Sequence, residues 1–246
     1  MGYKNVFYPE SRFGGFSDID GTLVFYARVN ALLNPDSVVV DYGCGRGAYG
    51  EDPIPIRRKL RILRGKVRKV IGLDIDPAAS ANAYIDEFHL LEGDSWPLED
   101  DSADLCLCDN VLEHLPRPEV FFSEAKRVLK EDGVLCIRTP NAWNYVGIIS
   151  RLIPNRMHYA VLIRVKDNCQ EQDVLPTFYR CNSLGAIRRM LQKFQFEGVV
   201  YGYEAEPSYL TFSRLAYGLG VIHQKWAPGC LRAAIFSFSR PVKIQT

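Results

Sequence analysis

The chain has 246 residues, 47% of them hydrophobic and 24% charged, with a formal net charge of +1. That length can bury roughly two-thirds or more of its unfolded surface as one α/β domain, and the composition is ordinary for a globular protein, not for a disordered or fibrous one. The near-neutral balance gives no global field toward nucleic acid or membrane, and seven cysteines with no C-x-x-C pair beside only four histidines offer no zinc-binding spacing, so no metal is expected.

The first residues, MGYKNVFYPESRFGG, contain no apolar signal-peptide core, and the expected setting is the reducing cytoplasm. Residues 1–35 read as an N-terminal lid and helix, with Phe13-Gly14-Gly15-Phe16 placed to fold over a ligand. Val38 to Val40 then reads as a short buried strand ending at Asp41. Gly43, Gly45 and Gly47 follow at alternate positions, where the backbone can turn sharply and approach a ligand closely. Pro53 and Pro55 delay the next helix to about Ile56. Arg57 to Lys69 holds eight basic residues and no acidic one, and Ile56, Leu60 and Leu63 give it an apolar stripe. It reads as an amphipathic surface helix with a solvated basic face, and attraction to anionic lipid or nucleic acid is the alternative.

Lys69 to Leu73 is the second strand, stopped by Asp74, and Asp104 to Cys108 is a further one, stopped by Asp109. PEVFFSEAKRVLKEDG forms a helix with Pro118 in its first turn and Phe121, Ala125, Val128 and Leu129 at helical spacing. Gly133 to Ile137 is the next strand. Residues 142–182 break the alternation and read as a cap insertion over the binding site. Residues 183–246 return to a helix, SLGAIRRMLQKF, N-capped by Ser183, and to strands in GVVYGYEAE and LRAAIFSFS. The apolar stretch from Tyr209 to Phe238 is interrupted by Arg214, Lys225 and Arg232, which argues against a spanning helix and leaves peripheral membrane contact open.

Strands alternating with helices imply right-handed crossovers and a mostly parallel sheet, with ligands outside the carboxyl ends of the strands. Asp41, Asp74 and Asp109 all fall at such ends. An acidic strand end followed by alternate glycines suits a ligand carrying an amine and a ribose better than a pyrophosphate, which points to S-adenosylmethionine. Gly43 to Gly47 would face its methionine part, Asp74 its ribose, Ile75 the adenine face, and Asp94 with Ser95 the adenine edge. For each strand-end aspartate the plainer alternative is helix capping.

The pieces VVVDYGCGRG, VIGLDIDP, EGDSWPLEDDSADLCLCDNVLEHL and EVFFSEAKRVLKEDGVLCIRTPN occur in that order between Val38 and Asn141. With them the chain resembles the class I S-adenosylmethionine-dependent methyltransferases, in the broad ubiquinone-biosynthesis-type (methyltransferase type 11-like) group. The resemblance implies a Rossmann-like, doubly wound, mostly parallel seven-stranded sheet with helices on both faces and the cap after the fifth strand. Residues 36–141 would be the cofactor-binding core of one domain. It also implies that Asp41, Gly43, Cys44, Gly45 and Gly47 line the methionine end, that Asp74 holds the ribose, and that the backbone around Asp109 and Asn110 closes the site. Lys130-Glu131-Asp132-Gly133 departs from the K-P-G-G turn of relatives, and the connection from Gly47 to Asp74 is long.

Gly45, Gly47 and Gly50 also spell the dinucleotide pattern G-x-G-x-x-G, so an NAD-dependent oxidoreductase is the rival enzyme. Against it, Asp74 lies too far on, prolines occupy the expected helix start, and no Y-x-x-x-K pair is present. A second rival is a regulatory or scaffold protein that binds S-adenosylmethionine without turnover.

His114 has the intrinsic pKa to take a proton from an acceptor hydroxyl; Asp109 and His158 are the other candidate bases. Tyr145, His158, Tyr179 and Arg180 are the candidate acceptor contacts, since aromatic faces and a guanidinium suit a sugar, a ring or an acid group. The expected reaction is methyl transfer to a small-molecule acceptor, at oxygen, with sugar-containing, lipid-linked and aromatic acceptors all open. The acidic block EGDSWPLEDDSAD argues against a nucleic-acid substrate.

Overall fold

A computed structural model describes residues 3–145 and 176–242. Seven strands form one sheet: β1 (Val38–Tyr42), β2 (Lys69–Asp74), β3 (Glu87–Leu90), β4 (Ala103–Asp109), β5 (Leu129–Pro140), β6 (Phe196–Tyr203) and β7 (Ala234–Pro241). Their order is β3-β2-β1-β4-β5-β7-β6. All pairs are parallel except those of β7, which runs antiparallel to both β5 and β6. The order reverses between β1 and β4, and it is outside the carboxyl ends at such a switch point that open α/β sheets bind ligands.

Alternation along the strands divides the core into two layers. Val38, Val40, Cys106, Cys108, Leu135 and Ile137 face one way, onto Phe121, Phe122 and Ala125 of α4 (Pro118–Val128) and Ile187 and Leu191 of α5 (Leu184–Lys193). Val39, Leu105, Leu107 and Cys136 face the other, onto Phe25 and Val29 of α2 (Gly21–Ala31) and onto Leu63, which follows α3 (Pro55–Arg61). Continuous apolar strands are therefore buried on both faces, as a parallel sheet requires. The helix starts have local causes. Asp20 caps α2 by accepting from the amides of Thr22 and Leu23, and Ser183 caps α5 through the amide of Ala186.

Three elements depart from the sequence expectation. The basic helix stops at Arg61, because Ile62 is extended and Gly65 turns with φ 81°. Three of the eight basic residues of the run are ion-paired: Arg57 to Asp20 and Asp52, Arg64 to Asp86, and Lys69 to Glu87. β5 begins at Leu129, with a bulge opposite Ala103 to Leu105, so Lys130 to Gly133 is an irregular stretch within the strand and not a turn before it. β3 was not expected at all, since four half-exposed residues carry no periodic signal.

A third, small cluster sits apart from the sheet. Tyr8 packs with Tyr217 and Val221 of α6 (Arg214–Trp226), joined by Tyr3 and Phe7; Phe7 lies on α1 (Lys4–Phe7). The N-terminal segment and α6 are thus packed together as one unit. Gly14 and Gly15 turn with positive φ between them and α2, and Gly15 lies beside Ile54.

Candidate active site

The loop after β1 is held down by its neighbours and left open on its outer side. The amide of Gly43 donates to Leu73 O at 2.7 Å, drawing the loop across the end of β2. Gly43 has φ 72° and lies so close to Val111 that a Cβ would come within 2.3 Å of it, and a Cβ on Gly47, at φ 80°, would come within 2.6 Å of Asn82. Gly45 has φ 55°, yet a Cβ there would meet nothing within 4 Å. Its outer face is thus available for close approach by a ligand. Cys44 is buried with its sulfur over Gly72, so only its backbone can serve a ligand.

Asn82, absent from the sequence-based candidates, anchors the loop from below. Its buried amide donates to Cys44 O and Gly45 O, both at 3.1 Å, while its oxygen accepts from Tyr84 N at 2.9 Å. Nothing in DPAASANAY marks it, because its role depends on the loop folding over it.

Asp74 ends β2 half-buried. One carboxylate oxygen accepts from Gly45 N and the other from Asp76 N, both at 2.9 Å. These two bonds fix the carboxylate and leave further lone pairs for hydroxyl donors. The next residue, Ile75, is 64% exposed at the rim. On the far side Tyr42 stacks on Trp96 with ring centroids 5.0 Å apart, and the Trp96 amide donates to Glu124 at 2.7 Å. This pins the segment carrying Asp94 and Ser95, both exposed; Asp94 is engaged by the Arg117 guanidinium.

Asp41 and Asp109 lie side by side at the ends of β1 and β4. No described donor bonds the Asp41 carboxylate; burial, then the negative charges of Asp109 and Asp74, push its pKa up to about 7 against the pull of Arg61. Asp109 is the reverse case. Arg138 of β5 grips both its oxygens, Nε at 2.5 Å and Nη2 at 2.6 Å, and Tyr26 of α2 donates its hydroxyl at 2.8 Å. Although burial raises its pKa, the Arg138 charge and these bonds outweigh that and hold it below the usual carboxylate range. Asp109 thus ties α2 and β5 to β4, an arrangement that favours its carboxylate form over the protonated one. Asn110, at φ 56°, continues the same knot through Arg138 O at 2.7 Å and its side-chain bond to Asp109 at 3.0 Å.

His114 lies beyond β4. Its Nδ1 is 2.9 Å from Pro176 O, so Nδ1 carries the donating proton and Nε2 keeps a free lone pair in the neutral ring. Nε2 is 3.9 Å from the carboxylate of Glu113. Glu113 is buried, accepts from the Thr139 hydroxyl at 2.9 Å, and receives the Phe178 and Tyr179 amides on its carbonyl. Burial pushes its pKa up. Asn182 donates to Thr139 Oγ1 at 2.6 Å and to Pro140 O at 3.1 Å. The Glu113–Thr139–Asn182 relay thus ties the chain after residue 176 to the end of β5.

The acceptor candidates are scattered. Tyr179, at φ 50°, contributes its amide to this relay, and Arg180 is exposed next to it. Tyr145 is elsewhere, edge-on to His223 at 5.1 Å. His158 lies outside the described residues. A shallow, open and mainly apolar depression of about 350 Å³ is lined by Trp143, Ser183, Leu184, Gly185, Cys230 and Leu231. Among the described residues, no three His, Cys, Asp or Glu side chains gather as a metal site.

A family model described as a methyltransferase domain matches residues 22–201, most of the chain. The chain belongs to the methyltransferase-domain family. A probable S-adenosylmethionine-dependent methyltransferase of Mycolicibacterium smegmatis is 36% identical over 107 residues, covering 42% of this chain and 38% of its own length. One from Mycobacterium tuberculosis, of the same description, is 33% identical over 110 residues, 42% of this chain and 35% of its own. The chain thus matches little more than a third of the length of these relatives. The crystal structure of an S-adenosylmethionine-dependent methyltransferase from Archaeoglobus fulgidus superposes with a TM-score of 0.55 at 16% identity, covering 94% of this chain and 97% of that one. The methyltransferase sheet is the shared feature.

The rim of this methyltransferase-family domain has groups that fit S-adenosylmethionine. The open side of Gly45 admits close backbone approach, the fixed Asp74 carboxylate can receive ribose hydroxyls, and the unbonded Asp41 carboxylate can meet a cationic group.

Proposed function

We propose that this chain transfers a methyl group from S-adenosylmethionine to oxygen of a small acceptor that carries an apolar portion. The observation that carries the reading is the rim between β1 and β2, where Asp74 is locked by Gly45 N and Asp76 N while Asp41 has no described donor. When bound, S-adenosylmethionine supplies an electrophilic methyl group on a positively charged sulfur. The residues' main task is then to hold the partners in line and keep them there.

Asp74 orients the ribose, Ile75 and the segment around Asp94 and Ser95 border the adenine, and Asp41 faces the amine. The Asp109–Arg138–Tyr26 knot fixes the wall between β1, β4 and α2. His114, with Nδ1 tied to Pro176 O, takes the proton from the acceptor hydroxyl on Nε2, and the buried Glu113 carboxylate beside it supports the charged ring. Tyr179 and Arg180 adjoin this side of the rim and are the acceptor contacts favoured here. The apolar depression beside Trp143 and Leu231 favours lipid-linked or aromatic acceptors over a bare sugar. The four ordered motifs support placement in the ubiquinone-biosynthesis-type group. All six described cysteines are free, which supports a reducing, cytoplasmic setting.

Calorimetric titration with S-adenosylhomocysteine, with NADH in parallel, tests the cofactor. Micromolar binding of the first alone is expected; binding of NADH alone overturns the reading. Once an acceptor is found, His114→Ala should lower kcat about 100-fold or more while cofactor affinity stays nearly constant. Full turnover in that variant removes His114 from the mechanism.

A further inference from the structure

Helix α6 carries an apolar stripe that faces outward. Leu215, Leu219, Ile222 and Trp226 are 76%, 59%, 58% and 82% exposed, and Phe212 just before the helix is 74% exposed. At about 100° per residue, the four helical positions fall within a sector of about 60°. The opposite face is already satisfied, since Tyr217, Gly220 and Val221 are buried against the N-terminal segment and Pro207. The exposed stripe is therefore a second apolar face on a helix that needs only one to fold.

The charge around the stripe identifies what it meets. Arg214 and Lys225 bracket it on one flank, about 90° round from its centre. From Pro207 to Thr246 the sequence contains no Asp or Glu. The acidic residues just before that segment are withdrawn: Glu204 is buried and accepts from Ala233 N, and Glu206 is paired with Lys4 at 3.0 Å. Two copies meeting through this face would bring basic flanks together with no acid in the segment to offset them. An anionic lipid surface complements both features at once, receiving the apolar side chains and attracting the flank. Trp226 at the helix end is the residue type that settles at a membrane–water interface.

We infer that α6 docks this protein on anionic phospholipid bilayers, lying in the interface with Phe212, Leu215, Leu219, Ile222 and Trp226 inserted. No described helix is long and apolar enough to cross a membrane, so the contact is peripheral. Through Cys230 and Leu231, which follow the helix closely and line the apolar depression, docking brings that depression to the membrane surface.

Co-sedimentation of the full chain with vesicles of phosphatidylcholine, alone or mixed equally with phosphatidylglycerol, tests this. Binding should be at least about tenfold stronger to the mixed vesicles. The double variant Leu219→Glu, Ile222→Glu should lose at least about tenfold of it, with S-adenosylhomocysteine binding and circular dichroism unchanged. The Trp226 emission, isolated with Trp96→Phe and Trp143→Phe, should shift to the blue on vesicle addition. Absence of vesicle binding, equal binding by the double variant, or a wild-type dimer that the double variant dissociates in sedimentation would each overturn the inference.

Discussion

The ends of β1 and β4 carry the same residue in adjacent strands, and the fold treats the two in opposite ways. Asp109 meets an arginine, a tyrosine and an asparagine, and its negative charge is fully satisfied. Asp41, just across the switch point, receives no described donor and sits at a pKa of about 7. The arginine decides the difference: Arg138 projects from β5, which neighbours β4 but not β1. One carboxylate thus holds the wall together, while the other keeps an electrostatic deficit that a cationic ligand can relieve. Their pH responses have opposite signs. The stability Asp109 contributes is present above the unfolded carboxylate range and lost as pH falls through its depressed pKa. What protonated Asp41 contributes is lost as pH rises through about 7.

The largest effect is expected at the satisfied end. Arg138→Met leaves Asp109 buried without its cation and should cost about 3–5 kcal/mol in urea denaturation; an unchanged midpoint would show that Asp109 is not the structural member of the pair. At the ligand end, Asp74→Ala should weaken S-adenosylhomocysteine binding by about 1.5–3 kcal/mol in calorimetry, the scale of hydrogen bonds to a charged group. Equal affinity in the folded variant would remove the ribose assignment. The Asp41 half of the comparison is sharpened by pH. A ligand that carries an amine prefers the ionised carboxylate, so affinity should drop about tenfold from pH 8 to pH 6, and Asp41→Asn should flatten that slope. An identical slope in the variant would assign the proton elsewhere. The smallest effect is expected at Asp94, whose partner is a solvent-exposed arginine. Arg117→Ala should change stability by less than about 1 kcal/mol, and a larger loss would make that pair a third structural knot.

Much of the sheet was legible in the chain. Val38 to Val40, KVIGL and DLCLC are short apolar runs bounded by turn residues, and burial on both faces leaves no alternative use for them. α4 showed itself through Pro118 and the spacing of its apolar residues. β3 escaped because four half-exposed residues at a sheet edge need only a neighbouring strand, not a pattern of their own. β5 was read four residues short at its start because Lys130 to Asp132 are polar, and the bulge there is a matter of pairing with β4. The basic run from Arg57 read as a helix reaching β2 because Ile56, Leu60 and Leu63 make an apolar stripe; that α3 stops at Arg61, and that Asp20, Asp86 and Glu87 reach Arg57, Arg64 and Lys69, are matters of the fold.

At the site, the amino-acid sequence by itself determined the glycine loop, the strand-end aspartates and their common rim. These follow from local backbone freedom and from the rule that parallel strands end on one side. Tertiary structure alone decided which aspartate is satisfied, that Asn82 supports the loop, that His114 is oriented by Pro176, and that α6 shows an apolar stripe to solvent. Each of these depends on a contact between residues far apart in the chain, and burial and hydrogen-bond partnership do not exist until those contacts form.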